Sequence, residues 1–197
     1  MLGNELLQGE KVYLSRPTND DMRMFAEWSN DIEYYRLLRR GMVYPDSAED
    51  TQAWINDAIR KEELIPFSVR TLDKDQLVGM IAIKDIVWQA RHCSFFVGIG
   101  RQPDRRMGYG TDAVRILLKY IFLEMNLNRV GLDVMDYNVN AQRVYAGMGF
   151  QHEGTLRAYS YRDGVYYDMH IMGMLRSEWE KISGFPPIRY GDEGLEA

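Results

Sequence analysis

The sequence predicts a mixed α/β fold, a mostly antiparallel sheet of about seven strands with about four helices and one right-handed parallel crossover. Three observations lead there. Seven runs carry strand alternation or a strand-like apolar composition, and four segments carry helix signals. One long amphipathic helix separates the fourth strand from the fifth. The last two strands are joined by Asp163-Gly164, a dipeptide favoured in tight hairpins.

The elements follow in order. Lys11 to Arg16 alternates, with Val12 and Leu14 on one face, and Pro17 ends it. Thr18-Asn19-Asp20-Asp21 supplies a cap and an acidic first turn for a helix through Ser29. Asn30 to Pro45 reads as a loop rich in aromatic and charged residues. Ser47 with Asp50 resembles a capping box, and behind it Trp54, Ile55, Ala58 and Ile59 make a helical stripe. Phe67 to Arg70 opens a second strand, Leu77 to Val87 is a long third, and His92 to Ile99 is a fourth. On that fourth strand Phe95, Val97 and Ile99 share a face, while Gly98 and Gly100 interrupt the other. Thr111 to Met125 has the apolar spacing of a broad buried helix face. Arg129 to Asp136 is a fifth strand, Asn138 to Gly147 a short helix, and Thr155–Arg162 with Val165–Met174 the hairpin.

A chain of 197 residues is large enough for one self-sufficient core, expected over residues 1–181 with a polar, Pro186-Pro187-containing tail over 182–197. The composition, 46% hydrophobic and 27% charged, is that of an ordinary globular domain. A net charge of −5 argues against nonspecific nucleic-acid binding and mildly favours a cationic partner. Met1 to Glu5 lacks a signal-peptide pattern, and no apolar run approaches the roughly 20 residues that span a bilayer. The expectation is a cytoplasmic protein without membrane or nucleic-acid partners; homo-oligomerisation is left open. The single cysteine, Cys93, excludes an internal disulfide and a cysteine-based zinc site. His92 is its neighbour, but successive strand residues point to opposite faces, which favours a structural thiol. His152 and His170 stand at no ligand spacing, so no metal is expected.

Chemistry concentrates at Arg105-Arg106-Met107-Gly108-Tyr109-Gly110, directly before the long helix. A glycine-bearing loop opening a helix aims backbone N–H groups and the positive dipole end at one point, which attracts phosphate. A Walker loop requires a lysine that Gly110-Thr111-Asp112 lacks. The spacing Gly108-x-Gly110-x-x-Ala113, with Asp133 further on, fits a dinucleotide fingerprint, but a polar stretch separates the strand from Gly108. A plain helix cap is a further reading. The third phosphate pattern, arginine-x-x-G-x-G opening a helix after a glycine-containing strand, resembles the one that the GNAT acetyltransferases use for the pyrophosphate of acetyl-CoA.

A second motif favours that pattern. Asn140, then Tyr145, then Gly149-Phe150 resembles the second signature of the GNAT acetyltransferases. Arg16-Pro17 with Asp20-Asp21, Trp28-Ser29-Asn30-Asp31, and Glu153-Gly154-Thr155-Leu156-Arg157 resemble the RimJ/RimL-type and spermidine N-acetyltransferase branch. The resemblance runs from about residue 10 to Trp179.

The resemblance implies a GNAT-like fold and an acetyl-CoA-dependent N-acetyltransferase acting on a primary amine, either a protein N-terminus or a small amine such as a polyamine. It implies splayed fourth and fifth strands, with backbone of Val97 and Ile99 holding the pantetheine arm. Arg105, Arg106, Met107, Gly108, Tyr109, Gly110 and Thr111 would cradle the pyrophosphate, and Asn140 and Arg143 would contact the cofactor from the short helix. Tyr145 would protonate the departing thiolate. Where the family often carries a glutamate on the fourth strand, this chain has Ser94. Asp85 on the third strand matches an acidic residue near the amine in the spermidine branch, and the resemblance makes it the candidate base, with Glu153, Asp168 and His170 behind it. The missing glutamate also leaves room for a CoA-binding sensor without turnover. Glu33, Tyr34 and Tyr35 would cover the acceptor site, where acidic and aromatic groups suit a cationic amine.

Overall fold

The computed structural model describes residues 6–184. Seven strands run β1 (Val12–Ser15), β2 (Leu64–Thr71), β3 (Leu77–Val87), β4 (His92–Ile99), β5 (Arg129–Met135), β6 (Gln151–Arg162) and β7 (Val165–Leu175). They form one sheet in the order β1-β2-β3-β4-β5-β7-β6. Only β4 and β5 are parallel; every other neighbouring pair is antiparallel. Among the described residues the α-helices are α1 (Asn19–Trp28), α2 (Ile32–Leu38), α3 (Ala48–Arg60), α4 (Tyr109–Lys119), α5 (Val139–Gly147) and α6 (Arg176–Ser183).

Strand alternation divides the apolar residues between two faces. On one face Leu14, Phe67, Val69, Ile81, Ile83, Phe95, Val130 and Leu132 pack against Val114, Leu117 and Ile121 of the crossover helix α4 and the residues after it. On the other, Met22, Phe25, Trp28, Tyr34 and Ile55 of α1–α3 cover Leu77 and Met80, and Ala58 meets Leu64 and Ala82. α1 begins at the expected Thr18 cap, with Asp21 returning the bond to the Thr18 N–H. Asp163 and Gly164 both adopt positive φ, +52° and +81°, as a tight hairpin turn requires.

The departures are local. α4 starts at Tyr109, two residues before the expected start, and ends at Lys119 in a π turn over Tyr120–Glu124. That turn brings Phe122 against Trp179, with ring centroids 5.2 Å apart. On α3 the buried row is Thr51, Ile55 and Ala58, while Trp54 and Ile59 flank it in solvent. β6 starts at Gln151, four residues before the expected Thr155, and carries two register shifts. Six helices replace the expected four because α2 and α6 lack a clear apolar stripe. α6 is polar apart from Trp179 and Ile182, and only Trp179 with the Arg176 stem is buried. It extends through Ile182 and Ser183, into the segment expected to be tail; residues 185–197 lie outside the described residues. No helix among the described residues is long and apolar enough to cross a membrane.

α2 replaces part of the expected Asn30–Pro45 loop. Seven residues cannot hold a helix in water unaided, so tertiary contacts sustain it. Asp31 caps it by accepting from the Tyr34 N–H at 3.0 Å and also pairs with Arg105 at 2.7 Å. The Tyr34 amide bond first, and the Arg105 guanidinium with it, outweigh desolvation and hold the Asp31 carboxyl below its ordinary value. Asp31→Ala is expected to cost about 1 kcal/mol at neutral pH. The cost is fully present above the ordinary carboxylate pKa of about 4 and fades as pH falls through the lowered folded value. Urea unfolding of both proteins across that range checks it; a difference that persists undiminished in acid counts against the charged cap.

Candidate active site

The parallel pair opens immediately after it forms. β4 and β5 are in register at only three positions, His92 with Arg129, Cys93 with Val130 and Ser94 with Gly131. Beyond Ser94, β4 stays with β3, and beyond Gly131, β5 stays with β7. Phe95 to Ile99 therefore present a backbone edge with no strand partner on the β5 side, and Val97 and Ile99 lie half-buried along it. Such an edge can pair with the amide groups of an extended ligand. Gly98 lies between them, and a Cβ there would run into the Tyr34 hydroxyl and, at 2.9 Å, the Leu38 side chain. The glycine is what lets α2 lie close over β4.

β4 leads through a short 3-10 turn, Gln102–Asp104, into the loop. Arg105 does not face outward with the rest. Its guanidinium donates to the carbonyls of Ile99 (3.2 Å) and Gly100, pairs with Asp31, and stacks 4.7 Å from the Tyr34 ring centroid. It clamps the end of β4 to α2. Arg106 (φ +66°) and Gly108 (φ +85°) flank Met107, whose φ is negative, and this alternation gathers successive N–H groups on one side. Gly108 is the N-cap of α4 and offers no side-chain acceptor, so side-chain capping does not occupy the amides of Tyr109, Gly110 and Thr111. Residues 10–12, from the far end of the sequence, complete the loop. Lys11 Nζ donates to the Met107 carbonyl at 2.9 Å. The buried Asp112 carboxylate accepts from the backbone N–H groups of Lys11 (2.8 Å), Val12 (3.0 Å) and Glu10 (3.3 Å). Lys11 was not legible as a site residue, because nothing local marks a contact 96 positions away.

α5 stands across the opening, capped by Asn138, which accepts from the Ala141 N–H at 3.2 Å. Asn140 and Arg143 are on its exposed side. Tyr145 faces inward, edge-on to Phe95 and Phe150 with centroids 5.9 and 5.8 Å away. Burial, and after it the charge of Asp133, push its hydroxyl well above the ordinary tyrosine value, so the proton stays on the oxygen.

On the α1–α3 face of the opening, β3 carries one extra residue. Lys84 pairs with Ser94 but Val87 with His92, and Asp85 takes up the excess at φ +53°. The bulge aims the Asp85 carboxylate at Lys84 Nζ (2.7 Å) and the Ser94 hydroxyl. Desolvation works to raise its pKa, but the Lys84 and Ser94 bonds outweigh it and hold the carboxyl below its ordinary value. Asp133 of β5 receives Arg40 Nε at 2.7 Å and Arg40 Nη2, with Lys84 Nζ at 4.0 Å. Asp85, Lys84, Asp133 and Arg40 are one network. Of these only Asp85 was expected as a site residue. The signal for Asp133 was a charge between Leu132 and Val134 in an apolar strand, but its neighbours depend on register.

The three residues expected over the acceptor side separate. Tyr34 is buried on Gly98, with its hydroxyl pushed up by desolvation. Tyr35 donates its hydroxyl to Asp46, and Glu33 is exposed on α2. The hairpin tip reaches this element: Arg162 donates to the carbonyls of Arg36 (3.1 Å), Arg39 (2.7 Å) and Gly41 (3.2 Å), and Asp163 pairs with Arg36. Of the other acid–base candidates, Glu153 is paired with Arg129 and Asp168 accepts from the Ala158 N–H. His170 and His152 share the Thr155 hydroxyl, each 3.0 Å from it, brought together by β6–β7 pairing. Cys93 is buried, and desolvation pushes its thiol up to about 12, far from a nucleophile's range.

Residues 11–151 match the family of the Acetyltransferase (GNAT) domain. Among curated relatives, the SPbeta prophage-derived uncharacterized N-acetyltransferase YokL of Bacillus subtilis is 27% identical over 176 residues, covering 89% of this chain and 96% of that one. The spermidine N(1)-acetyltransferase of Vibrio cholerae is 25% identical over 134 residues, 68% of this chain and 76% of that protein. A crystal structure of spermidine N-acetyltransferase from Vibrio cholerae in complex with CoA and spermine superposes with a TM-score of 0.78 at 23% identity, covering 85% of this chain and 97% of that one. With the family matched over most of its length, on a sheet split at its one parallel pair, the chain belongs to the GNAT acetyltransferases and is an N-acetyltransferase.

Proposed function

We propose that the protein moves the acetyl group of acetyl-CoA to the primary amine of a small cationic acceptor. The observation that carries this reading is the split after Ser94 and Gly131, with an uncapped helix N-terminus at Gly108 and two carboxylates, Asp85 and Asp133, on the α1–α3 face. The loop amides from Arg106 to Thr111, with Lys11 beside them, fit the diphosphate of the co-substrate. The free edge of Val97 and Ile99 fits its amide-bearing arm, and Asn140 and Arg143 are exposed for its outer part. When bound, acetyl-CoA supplies the activated acyl group as a thioester. Tyr145 holds its proton at Oη for the sulfur that leaves. Asp85, kept ionised by Lys84 and Ser94 and largely open to solvent, attracts an ammonium group, and the proton that the ammonium loses passes by way of the carboxylate to bulk water, leaving the neutral amine to attack.

This arrangement bears on the sensor alternative. Ser94 lacks the family's frequent glutamate, yet its hydroxyl is bonded to the carboxylate of Asp85 from the neighbouring strand. The β3 bulge thus returns an acidic group to that position. A small amine is favoured over a protein N-terminus, the RimJ/RimL-type alternative, because α2 and the hairpin tip are tied together beside the Asp133 network.

A thiol-release assay with diamines, monoamines and N-terminal peptides tests the proposal. Thiol release with diamines is the expected result. Release with peptides alone overturns the small-amine reading, and stabilisation by acetyl-CoA without release by any amine supports the sensor.

A further inference from the structure

Arg40 and Asp133 are 93 positions apart in sequence, yet the guanidinium meets the carboxylate through two nitrogens. Asp133 is two residues beyond the last β4–β5 pair, where the opening has begun, and alternation puts it on the same face as Gly131, the partner of Ser94. Its side chain is only 17% exposed, so its charge requires a cationic partner. Lys84 is 4.0 Å away and is engaged by Asp85 at 2.7 Å.

Arg40 belongs to the irregular segment between α2 and α3, two residues before the 81%-exposed Met42, and its own side chain is 45% exposed. Arg162 grips the carbonyls on both sides of it, those of Arg39 and Gly41, and so presents Arg40 to the opening. The four charged groups sum to zero while Arg40 is in place. With Arg40 withdrawn, Asp85, Asp133 and Lys84 leave one net negative charge, which matches one cationic group on an incoming acceptor.

We infer that Asp133 anchors a positive charge of the acceptor and that Arg40 is a resident guanidinium holding that anchor until the acceptor displaces it. This rests on the reading of the opening as an amine-acceptor cleft. Arg40 then sets specificity. An acceptor with a second cation beside its reactive amine can replace the guanidinium, whereas an amine with no other charge gains nothing at Asp133. Apparent affinity is lowered by the fraction of molecules in which Arg40 remains docked.

The test compares the unmodified chain with Arg40→Ala and with Arg40→Gln, which keeps most of the side chain. For diamines, KM is expected to fall about five- to tenfold in both variants, corresponding to a docked fraction of about 80–90%. For an uncharged-tail monoamine, KM is expected to stay within about twofold. A diamine KM that is unchanged or raised overturns the inference. Should no amine support thiol release, the acetyltransfer reading fails by itself. Binding then decides the Arg40 question: ethylguanidinium is titrated into each protein and followed by NMR. Saturable binding by Arg40→Ala, absent from the unmodified chain and from Arg40→Ala/Asp133→Asn, supports the inference; no binding by Arg40→Ala overturns it.

Discussion

Tyr145→Phe is expected to lower kcat about a hundredfold or more while leaving acetyl-CoA affinity nearly unchanged. The substitution removes one oxygen from a ring wedged between Phe95 and Phe150, so the packing that positions α5 survives. What disappears is a proton held on Oη by burial and by the nearby charge of Asp133. Because that hydroxyl stays protonated across the working range, it contributes no titration step below its raised value, and loss of the donor lowers the rate at every pH. Thiol release gives the rate and thermal stabilisation by acetyl-CoA gives the binding. Turnover equal to that of the unmodified protein removes Tyr145 from the donor role and leaves it as packing.

Asp112→Ala is expected to destabilise the fold by about 3 kcal/mol, on the order of 1 kcal/mol for each backbone donor it leaves behind. Its carboxylate ties the N–H groups of Glu10, Lys11 and Val12 to the first turn of α4, more than 100 positions away in two cases. The same tie sets Lys11 against the loop carbonyl of Met107. Cofactor affinity should therefore fall together with stability. Asp112→Asn should recover only part of the loss, since its amide N–H₂ group faces further donors. Urea unfolding measures the first effect, and a loss below about 0.5 kcal/mol, the range of ordinary surface substitutions, counts against the clamp.

The glycine loop and the α5 signature were legible because they are local. Gly108 and Gly110 before an apolar helix, and Asn140, Tyr145 and Phe150 at fixed spacing, carry their meaning within a few turns of chain. β4 was legible to the residue at both ends and β3 at its start, with its end placed approximately, since an apolar run closed by polar or charged turns states its own limits. α2 was hidden because Glu33, Tyr34, Tyr35 and Arg36 have no apolar periodicity; the helix depends on Tyr34 seating on Gly98 and on Asp31 meeting Arg105. Arg105 shows the same limit at one residue. Its motif position was readable, but the inward direction of its side chain depends on Asp31 and Tyr34 being there.

By itself the sequence determined the seven strands in order, four of the six described helices, the crossover and the glycine loop that opens α4, because those rest on periodicity and on backbone preferences of neighbouring residues. The tertiary structure decided which charges meet at the opening between β4 and β5. Asp85 reaches Ser94 through a bulge, Asp133 meets Arg40, and Lys11 joins the loop, each through strand register or a contact spanning up to about a hundred positions. A charge has no preferred partner in the chain as written, and acquires one only when folding removes enough water to make the pairing matter.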